Sequence, residues 1–259
     1  MAVALFTARR SIYGWIPDLP DHRDRLYEQL APIVEIEKLP SSVNLRPKCT
    51  PVQNQGELGS CTANALAGNV DFLKKQRLKK VLDFSRLFIY YNERVIEHTV
   101  NSDSGAMLRD GIKTLAKAGV CPETEWRYTV ADFTEKPSAK AYSDALAYQI
   151  TAYYRLLTLD QMKHTLSAGY PFVFGFSVYE SFESAEVAKT GIVPLPEKGE
   201  RLLGGHAVMA AGYDEGEKQF IVRNSWGTAW GQEGYFMMPY DYLITKNLAS
   251  DFWTIRDME

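Results

Sequence analysis

The sequence is poor in cysteine and histidine, which limits the kinds of site that it can build. It has three cysteines and four histidines in 259 residues, with no Cys-x-x-Cys pair and no two histidines at a spacing such as i, i+4. Zinc sites need closely spaced cysteine or histidine ligands, and an odd count of three cysteines is too low for a disulfide framework. We therefore expect no metal and no cofactor.

The chain also lacks long apolar runs and an excess of one charge. No stretch approaches the ~20 apolar residues that span a bilayer, so we expect no membrane contact. The formal net charge of −3 argues against a nucleic-acid partner, because nucleic-acid-binding surfaces carry a clear excess of Lys and Arg. The first residues are apolar before they are basic, the reverse of a secretory signal. We expect a cytoplasmic protein or one exported by a non-standard route.

The distribution of prolines and the spacing of apolar residues change near residue 42 and again near residue 150. Residues 1–42 contain four prolines, which disfavour long regular elements. Apolar residues then recur at helical spacing from Cys61 to about residue 120. A capping box at 158–161 predicts a short helix that ends at Gly169. Strand-like runs follow at 172–178, 206–213, 220–223 and 234–238. Helices first and strands second predict an α+β fold with two subdomains and a cleft between them.

Cys61 stands at the predicted beginning of a helix, after a loop that contains Gly56, Gly59 and Ser60. The positive end of a helix dipole favours the thiolate, which is the nucleophilic form of cysteine. Glycines near the cysteine keep the backbone open to an approaching chain. A buried structural cysteine is the alternative, because cysteine is among the most buried residue types.

His206 follows the pair Gly204 and Gly205 and begins an apolar run. This places an imidazole at the end of a predicted strand beside open backbone. A single histidine is more often a surface or satisfied core residue, because a pKa near neutrality does not by itself make a site.

Asn224 follows another predicted strand and precedes Ser225 and Trp226. An asparagine there can hold one nitrogen of a histidine and so fix its tautomer. Trp226 would cover that hydrogen bond and exclude water. A simple turn is the alternative, since Asn, Ser and Gly are common turn residues.

Together these three segments resemble the papain family of cysteine peptidases, most closely its bacterial, xylellain-like branch. The order Cys, His, Asn agrees, and the spacing lies near the ~130–150 residues of that family. The resemblance runs from about residue 43 to the C-terminus. It implies a papain-like domain over 43–259, with a helix-rich half at about 52–151 and a strand-rich, β-barrel-like half at about 152–259. The active-site cleft would lie between the halves.

The resemblance also implies a role for each matching residue. Cys61 would be the nucleophile, His206 its acid–base partner, Asn224 the orienting residue and Gln55 the side-chain donor of the oxyanion hole. The substrate-binding residues implied are Gly59, Ser60, Gly105, Ala106, Met107, Gly205 and Trp226. The expected partner is a peptide or protein substrate, and the chain is expected to be a monomer.

Two positions depart from the family pattern. The family often has a cysteine where this chain has Leu58, so the usual disulfide from that site is absent, and an aromatic residue where it has Thr62. If Cys61 stays free for catalysis, Cys49 and Cys121 are the pair that remains for a bridge. Two unpaired thiols are equally open, because connectivity does not follow from sequence alone.

Three functions remain open at this stage. The first is a cysteine peptidase that works through a thiolate–imidazolium pair and an acyl-enzyme. The second is a Cys-His acyl transferase or isopeptidase, and the third is a catalytically silent papain-fold binding protein. Residues 1–42 would act as a pro-like segment that lies against the active site, as in a zymogen, or as a brace on the strand-rich half.

Overall fold

The computed structural model describes residues 13–31, 38–79 and 81–259. Expectations for the apolar start of the chain therefore lie outside the described residues. The first half is built from three helices: α1 (Cys61–Leu78), α2 (Arg86–Glu97) and α3 (Leu108–Lys117). Helix α2 begins after Ser85, whose hydroxyl accepts the backbone N–H of Phe88, an N-cap that satisfies one of the unpaired donors of a helix start.

The second half is a seven-stranded sheet with smaller helices around it. Its strands are β1 (Ser42–Asn44), β2 (Ile150–Arg155), β3 (Phe172–Tyr179), β4 (Leu202–Asp214), β5 (Gln219–Arg223), β6 (Tyr235–Pro239) and β7 (Ala249–Met258). Helix α4 (Ala139–Ala145) packs instead against α2 of the first half, where the Tyr142 hydroxyl donates to Asn92 Oδ1 at 2.8 Å. The helices that accompany the sheet are α5 (Leu159–Ser167), α6 (Ala185–Thr190) and α7 (Tyr240–Ile244). The strands pair in the order β2-β7-β3-β4-β5-β6, and β1 pairs with β4. Along these described strands the sheet is open rather than a closed barrel.

Helix α1 joins the two halves. It contacts α2 and α3 on one side and β4, β3 and β7 on the other, and most of its side chains are buried. A helix that is covered on nearly all sides serves as a core element. The predicted α+β, papain-like architecture is confirmed, and the first residue of α1, Cys61, lies where the helical half meets the sheet.

The N-terminal segment, described over residues 13–31, contacts both halves. Trp15 forms a parallel bridge with Ala106, next to the start of α3. Further along, the backbone N–H of Arg155 in β2 donates to Arg25 O at 2.7 Å, and Tyr27 is fully buried. The segment therefore crosses the molecule from the helical half to the outer strand of the sheet. Among the described ranges, no helix has the length and apolar character to cross a membrane.

Candidate active site

Cys61 is the first residue of α1 and is completely buried. The backbone N–H groups of Ala207, Gly14 and Thr62 point at its sulphur. These donors and the helix dipole favour the thiolate, but burial outweighs them and raises the pKa of the Cys61 thiol to about 12. With the N-terminal segment in place, burial therefore favours the protonated thiol.

His206 lies in β4, one residue before the Ala207 amide that faces Cys61. Its Nε2 is 2.8 Å from Asn224 Oδ1, and that same oxygen accepts the backbone N–H of Ser225. The Ser225 bond identifies the Asn224 atom as an acceptor, so Nε2 carries the imidazole proton. The other nitrogen, Nδ1, is buried and has no hydrogen-bond partner among the described residues. That nitrogen is the one available for proton exchange with a thiol.

Trp226 covers the pair of His206 and Asn224. Its ring stacks on the imidazole with centroids 4.9 Å apart and an interplanar angle of 28°. Burial lowers the pKa of His206 to about 4, although the bond to Asn224 acts in the opposite direction. With the N-terminal segment in the cleft, burial thus disfavours the charged forms of both Cys61 and His206.

Gln55 is almost fully buried in the loop before α1. Its side-chain oxygen accepts the hydroxyl of Ser225 at 2.6 Å, and its side-chain nitrogen donates to Leu58 O at 2.9 Å. The backbone N–H of Gln55 donates to Ser225 O at 2.8 Å. Ser225 thus holds Gln55 from two directions and fixes which way its amide N–H groups point. No motif in the sequence indicates this contact of Ser225.

The predicted substrate-binding residues of the helical half line the path of the N-terminal segment. Ala106 donates its N–H to Gly14 O at 2.7 Å and accepts the N–H of Ile16 at 3.0 Å. Gly105 has φ of +73°, and a Cβ there would lie 2.1 Å from Gly14 O. Met107 is half-buried, and its N–H donates to Glu97 at 2.7 Å.

Gly205 lies on the opposite wall and accepts the N–H of Trp15 at 2.9 Å. Gly59 faces Gly14 and is held by Asp103, whose carboxylate accepts the Gly59 N–H. Ser60 contacts the hydroxyl of Tyr128. Gly59, Gly105, Ala106 and Gly205 thus lie against residues 14–16, whereas the hydrogen bonds of Ser60 and Met107 go to Tyr128 and Glu97.

The remaining cysteines do not form the bridge considered from the sequence, because Cys49, Cys61 and Cys121 are all free and buried. Cys49 and Cys121 have different neighbours. Cys49 Sγ donates to Leu45 O at 3.5 Å, whereas Cys121 O accepts the N–H of Ser85 near the start of α2. Of the two alternatives left open by the sequence, the structure has unpaired thiols and no Cys49–Cys121 disulfide.

Sequence reasoning missed the pocket that Trp15 occupies. Its indole N–H donates to Asp251 Oδ2 at 3.2 Å, and Gly175 lies directly against the ring. No motif flags Asp251 or Gly175. The positive φ of Asp251, +60°, is rare for residues other than glycine and cannot be read from the sequence.

Comparisons with known proteins agree with this geometry. The family profile described as papain family cysteine protease matches residues 39–251. Xylellain, a cysteine protease from Xylella fastidiosa, is 46% identical, with a TM-score of 0.88 over 96% of this chain and 97% of that one.

Curated relatives point the same way. An uncharacterized peptidase C1-like protein of Acanthamoeba polyphaga mimivirus is 43% identical over 270 residues, which cover 95% of this chain and 87% of that protein. Cysteine proteinase 1 of Entamoeba histolytica is 29% identical, over 77% of this chain and 63% of that protein. The predicted activity is confirmed, and the alternatives of an acyl transferase or a silent binding protein are not favoured. The chain belongs to the papain family of cysteine peptidases.

Proposed function

We propose that Cys61, His206, Asn224 and Gln55 carry the peptidase reaction. The arrangement of His206 is the observation that supports this most strongly. Asn224 holds Nε2 at 2.8 Å, and Nδ1 remains without a described protein partner in a buried site. An imidazole fixed in one tautomer, with its basic nitrogen unoccupied, is suited to take a thiol proton.

The steps follow from these positions. Nδ1 of His206 takes the Cys61 proton, and the thiolate attacks the scissile carbonyl carbon. The resulting oxyanion is bound by the side-chain amide of Gln55 and the backbone N–H of Cys61. His206 then gives its proton to the leaving amine as the C–N bond breaks, which leaves a thioester on Cys61. Water, deprotonated by His206, hydrolyses the thioester and restores the thiol.

A matched pair of cysteine substitutions tests this assignment. Cys61→Ala is expected to abolish hydrolysis of a denatured casein substrate while the protein stays folded. Cys121→Ala is the control, because Cys121 is as buried as Cys61 but lies beside Ser85 near the start of α2, away from the junction of α1 and β4. Full turnover by Cys61→Ala would refute the proposal.

We further propose that residues 13–18 restrain the enzyme until they are displaced or cut. Gly14 lies at the Cys61 sulphur, and its neighbours form backbone hydrogen bonds with both walls of the cleft, at Ala106 and Gly205. A peptide substrate needs the same space and the same backbone groups. The alternative role of a brace fits a later part of the N-terminal segment, where Arg25 and Tyr27 contact the outer strand β2.

Trp15→Ala tests the restraint. The indole is 8% exposed, so its loss removes most of the apolar contact that docks the segment. We expect faster alkylation of Cys61 and faster peptide hydrolysis than in the wild type. Leu19→Ala is the control, because Leu19 directly follows this stretch and is 69% exposed. Equal rates in all three proteins would identify the segment as a brace.

Every residue of the proposed site comes from one chain, so we also propose that the enzyme acts on its peptide or protein substrate as a monomer. Light scattering coupled to size exclusion, with the active fractions assayed, tests this. Activity confined to a dimer peak would contradict it.

A further inference from the structure

Asp103 joins the loop before Cys61 to the loop between α2 and α3. Its carboxylate oxygens Oδ1 and Oδ2 each lie 3.0 Å from the backbone nitrogen of Gly59 and share its N–H. Gly59 is two residues before Cys61, and Asp103 is two residues before Gly105. One side chain therefore connects the loop that precedes the thiol with the loop that meets the N-terminal segment.

The hydroxyl of Tyr90 extends this connection to Gly105. It donates to Asp103 Oδ1 and accepts the backbone N–H of Gly105 at 3.2 Å. Tyr90 is fully buried in α2, and burial raises the pKa of its hydroxyl, so the group keeps the proton that it donates. The bonds form one chain from Gly105 through Tyr90 to Asp103, which also accepts from Gly59. Neighbouring hydrogen bonds in such a chain polarise and strengthen one another.

Arg94 holds the loop that carries Asp103. Its guanidinium is buried and lies over the Tyr90 ring, 4.0 Å from the centroid. Its Nη1 donates to Val100 O at 2.9 Å and to Ser102 O at 3.1 Å, and Ser102 directly precedes Asp103. The position of the Asp103 carboxylate is therefore fixed by its own loop as well as by the groups that it binds.

The two ends of this chain of hydrogen bonds serve different parts of the proposed reaction. Gly59 and Ser60 precede Cys61, whose backbone N–H is the proposed second oxyanion donor. Gly105 precedes Ala106, whose N–H and carbonyl bind the backbone of the N-terminal segment and become available to a substrate when that segment leaves. Such groups tolerate little displacement, since an error of about 1 Å can cost about 10²-fold in rate. All three cysteines are free, so noncovalent contacts alone keep the two loops aligned.

We propose that Asp103 is a positioning residue for the peptidase reaction, which keeps the oxyanion donor of Cys61 aligned with the bound substrate backbone. It acts at one end through Gly59 and at the other through Gly105. The inference rests on the proposed catalytic role of Cys61.

The turnover number of the full chain separates this role from the docking of the N-terminal segment. The segment and a peptide substrate compete for one cleft, so docking changes KM and leaves kcat at saturating peptide unchanged. We expect Asp103→Ala to lower kcat about 10- to 100-fold, because the Cys61 N–H loses its alignment with the oxyanion. Asp103→Asn keeps an oxygen that can accept the Gly59 N–H, so its kcat should lie between those of Asp103→Ala and the wild type.

The rate of Cys61 alkylation by iodoacetamide is the second readout, because this reaction needs the thiol but no oxyanion donor. In Asp103→Ala the alkylation rate of Cys61 should be at least that of the wild type, although kcat falls. Damage to the thiol or to its proton acceptor would lower both rates together. Cys49 and Cys121 are buried and report on folding in the same mass spectra, since an unfolded chain would be labelled at all three cysteines.

Tyr90→Phe tests the connection to Gly105. It removes the hydroxyl, keeps the ring and should lower kcat by a smaller factor than Asp103→Ala. In the double variant the additional effect of Tyr90→Phe should nearly vanish, because both residues belong to one chain of hydrogen bonds. Tyr142→Phe is the matched control and should leave kcat unchanged, because its hydroxyl donates to Asn92 Oδ1 at 2.8 Å elsewhere in the helical half.

Three results would overturn the inference: an unchanged kcat in folded Asp103→Ala, a parallel fall of kcat and of the Cys61 alkylation rate, or fully additive effects of Asp103→Ala and Tyr90→Phe. If Asp103→Ala does not fold, Asp103→Asn and Tyr90→Phe decide, and an unchanged kcat in both overturns it. Hydrolysis that persists in Cys61→Ala would refute the proposed catalytic role itself. Hydrolysis that depends on Cys61 but is the same in the Asp103 variants would refute only the role of Asp103.

Discussion

Gly14→Ala is the smallest change that tests whether the N-terminal segment restrains the enzyme. A Cβ on Gly14 would lie 1.7 Å from Gly59 O and 2.4 Å from Gly59 C, whereas real Cβ contacts are essentially never under 3.0 Å. Both atoms are backbone and stand in the loop just before Cys61, so they cannot turn away as the end of a flexible side chain would. The segment itself must move.

The size of the effect follows from the bonds that this movement breaks. Three backbone hydrogen bonds hold the segment in the cleft: Ala106 N to Gly14 O, Trp15 N to Gly205 O and Ile16 N to Ala106 O, at 2.7, 2.9 and 3.0 Å. Each contributes about 0.5–1.5 kcal/mol. Losing them costs about 1.5–4.5 kcal/mol, which shifts the docking equilibrium by about 10- to 1,600-fold, since 1.4 kcal/mol is about tenfold.

The assay is the rate of Cys61 alkylation by iodoacetamide, located by mass spectrometry, together with the rate of peptide hydrolysis. Both should rise in Gly14→Ala, up to the rate of the fully open enzyme. Leu19→Ala should behave as the wild type, since its side chain is exposed in the same segment. If Gly14→Ala folds normally and both rates equal those of the wild type, the segment does not control access to the thiol.

Three further outcomes are expected. Gln55→Ala removes one oxyanion donor and should lower kcat about 10²–10³-fold with little change in KM; an unchanged kcat would place the donor elsewhere. Burial, followed by the charge of Asp251, raises the pKa of Asp18 to about 6 when the segment is docked. Docking of the segment therefore takes up a proton. The segment docks most tightly below about pH 4, and its docking weakens as the pH rises through about 6. The wild-type alkylation rate relative to Asp18→Asn should therefore increase over that range, and a flat ratio would contradict it. Thiol titration in denaturant should count three thiols with or without reductant, whereas a rise on reduction would show a disulfide.

The sequence predicted the helical half well, because apolar residues recur at helical spacing in α1, α2 and α3. It missed β2 and β7. The outer strand β2 is mostly half-buried, and the bulge at Asp251 interrupts the alternation that would mark β7. Burial on both faces in β3 gives instead a continuous apolar run, which the sequence reveals directly.

The candidate catalytic residues were recognisable because each stands in a short, unusual context: a cysteine after glycines, a histidine after paired glycines, and an asparagine before Ser-Trp. The residues that shape the pocket had no such context. Gly175 is one glycine within an apolar strand, and Asp251 is one acidic residue in a charged C-terminal region. Their roles arise from contacts between strands that are distant in sequence, and periodicity does not record such contacts.

The anchoring of residues 25–27 on β2 and α5 makes the restraint intramolecular. Tyr27 is fully buried, and its hydroxyl lies 2.9 Å from His164 Nδ1, so residues 13–18 stay tethered to the enzyme after they leave the cleft. A short tether gives an effective concentration on the order of millimolar. Closing is therefore a first-order event that dilution does not weaken, and a free peptide of the same sequence would have to reach similar concentrations to replace it. A segment that opens without being cut can close again, so one molecule can pass repeatedly between the restrained and working states.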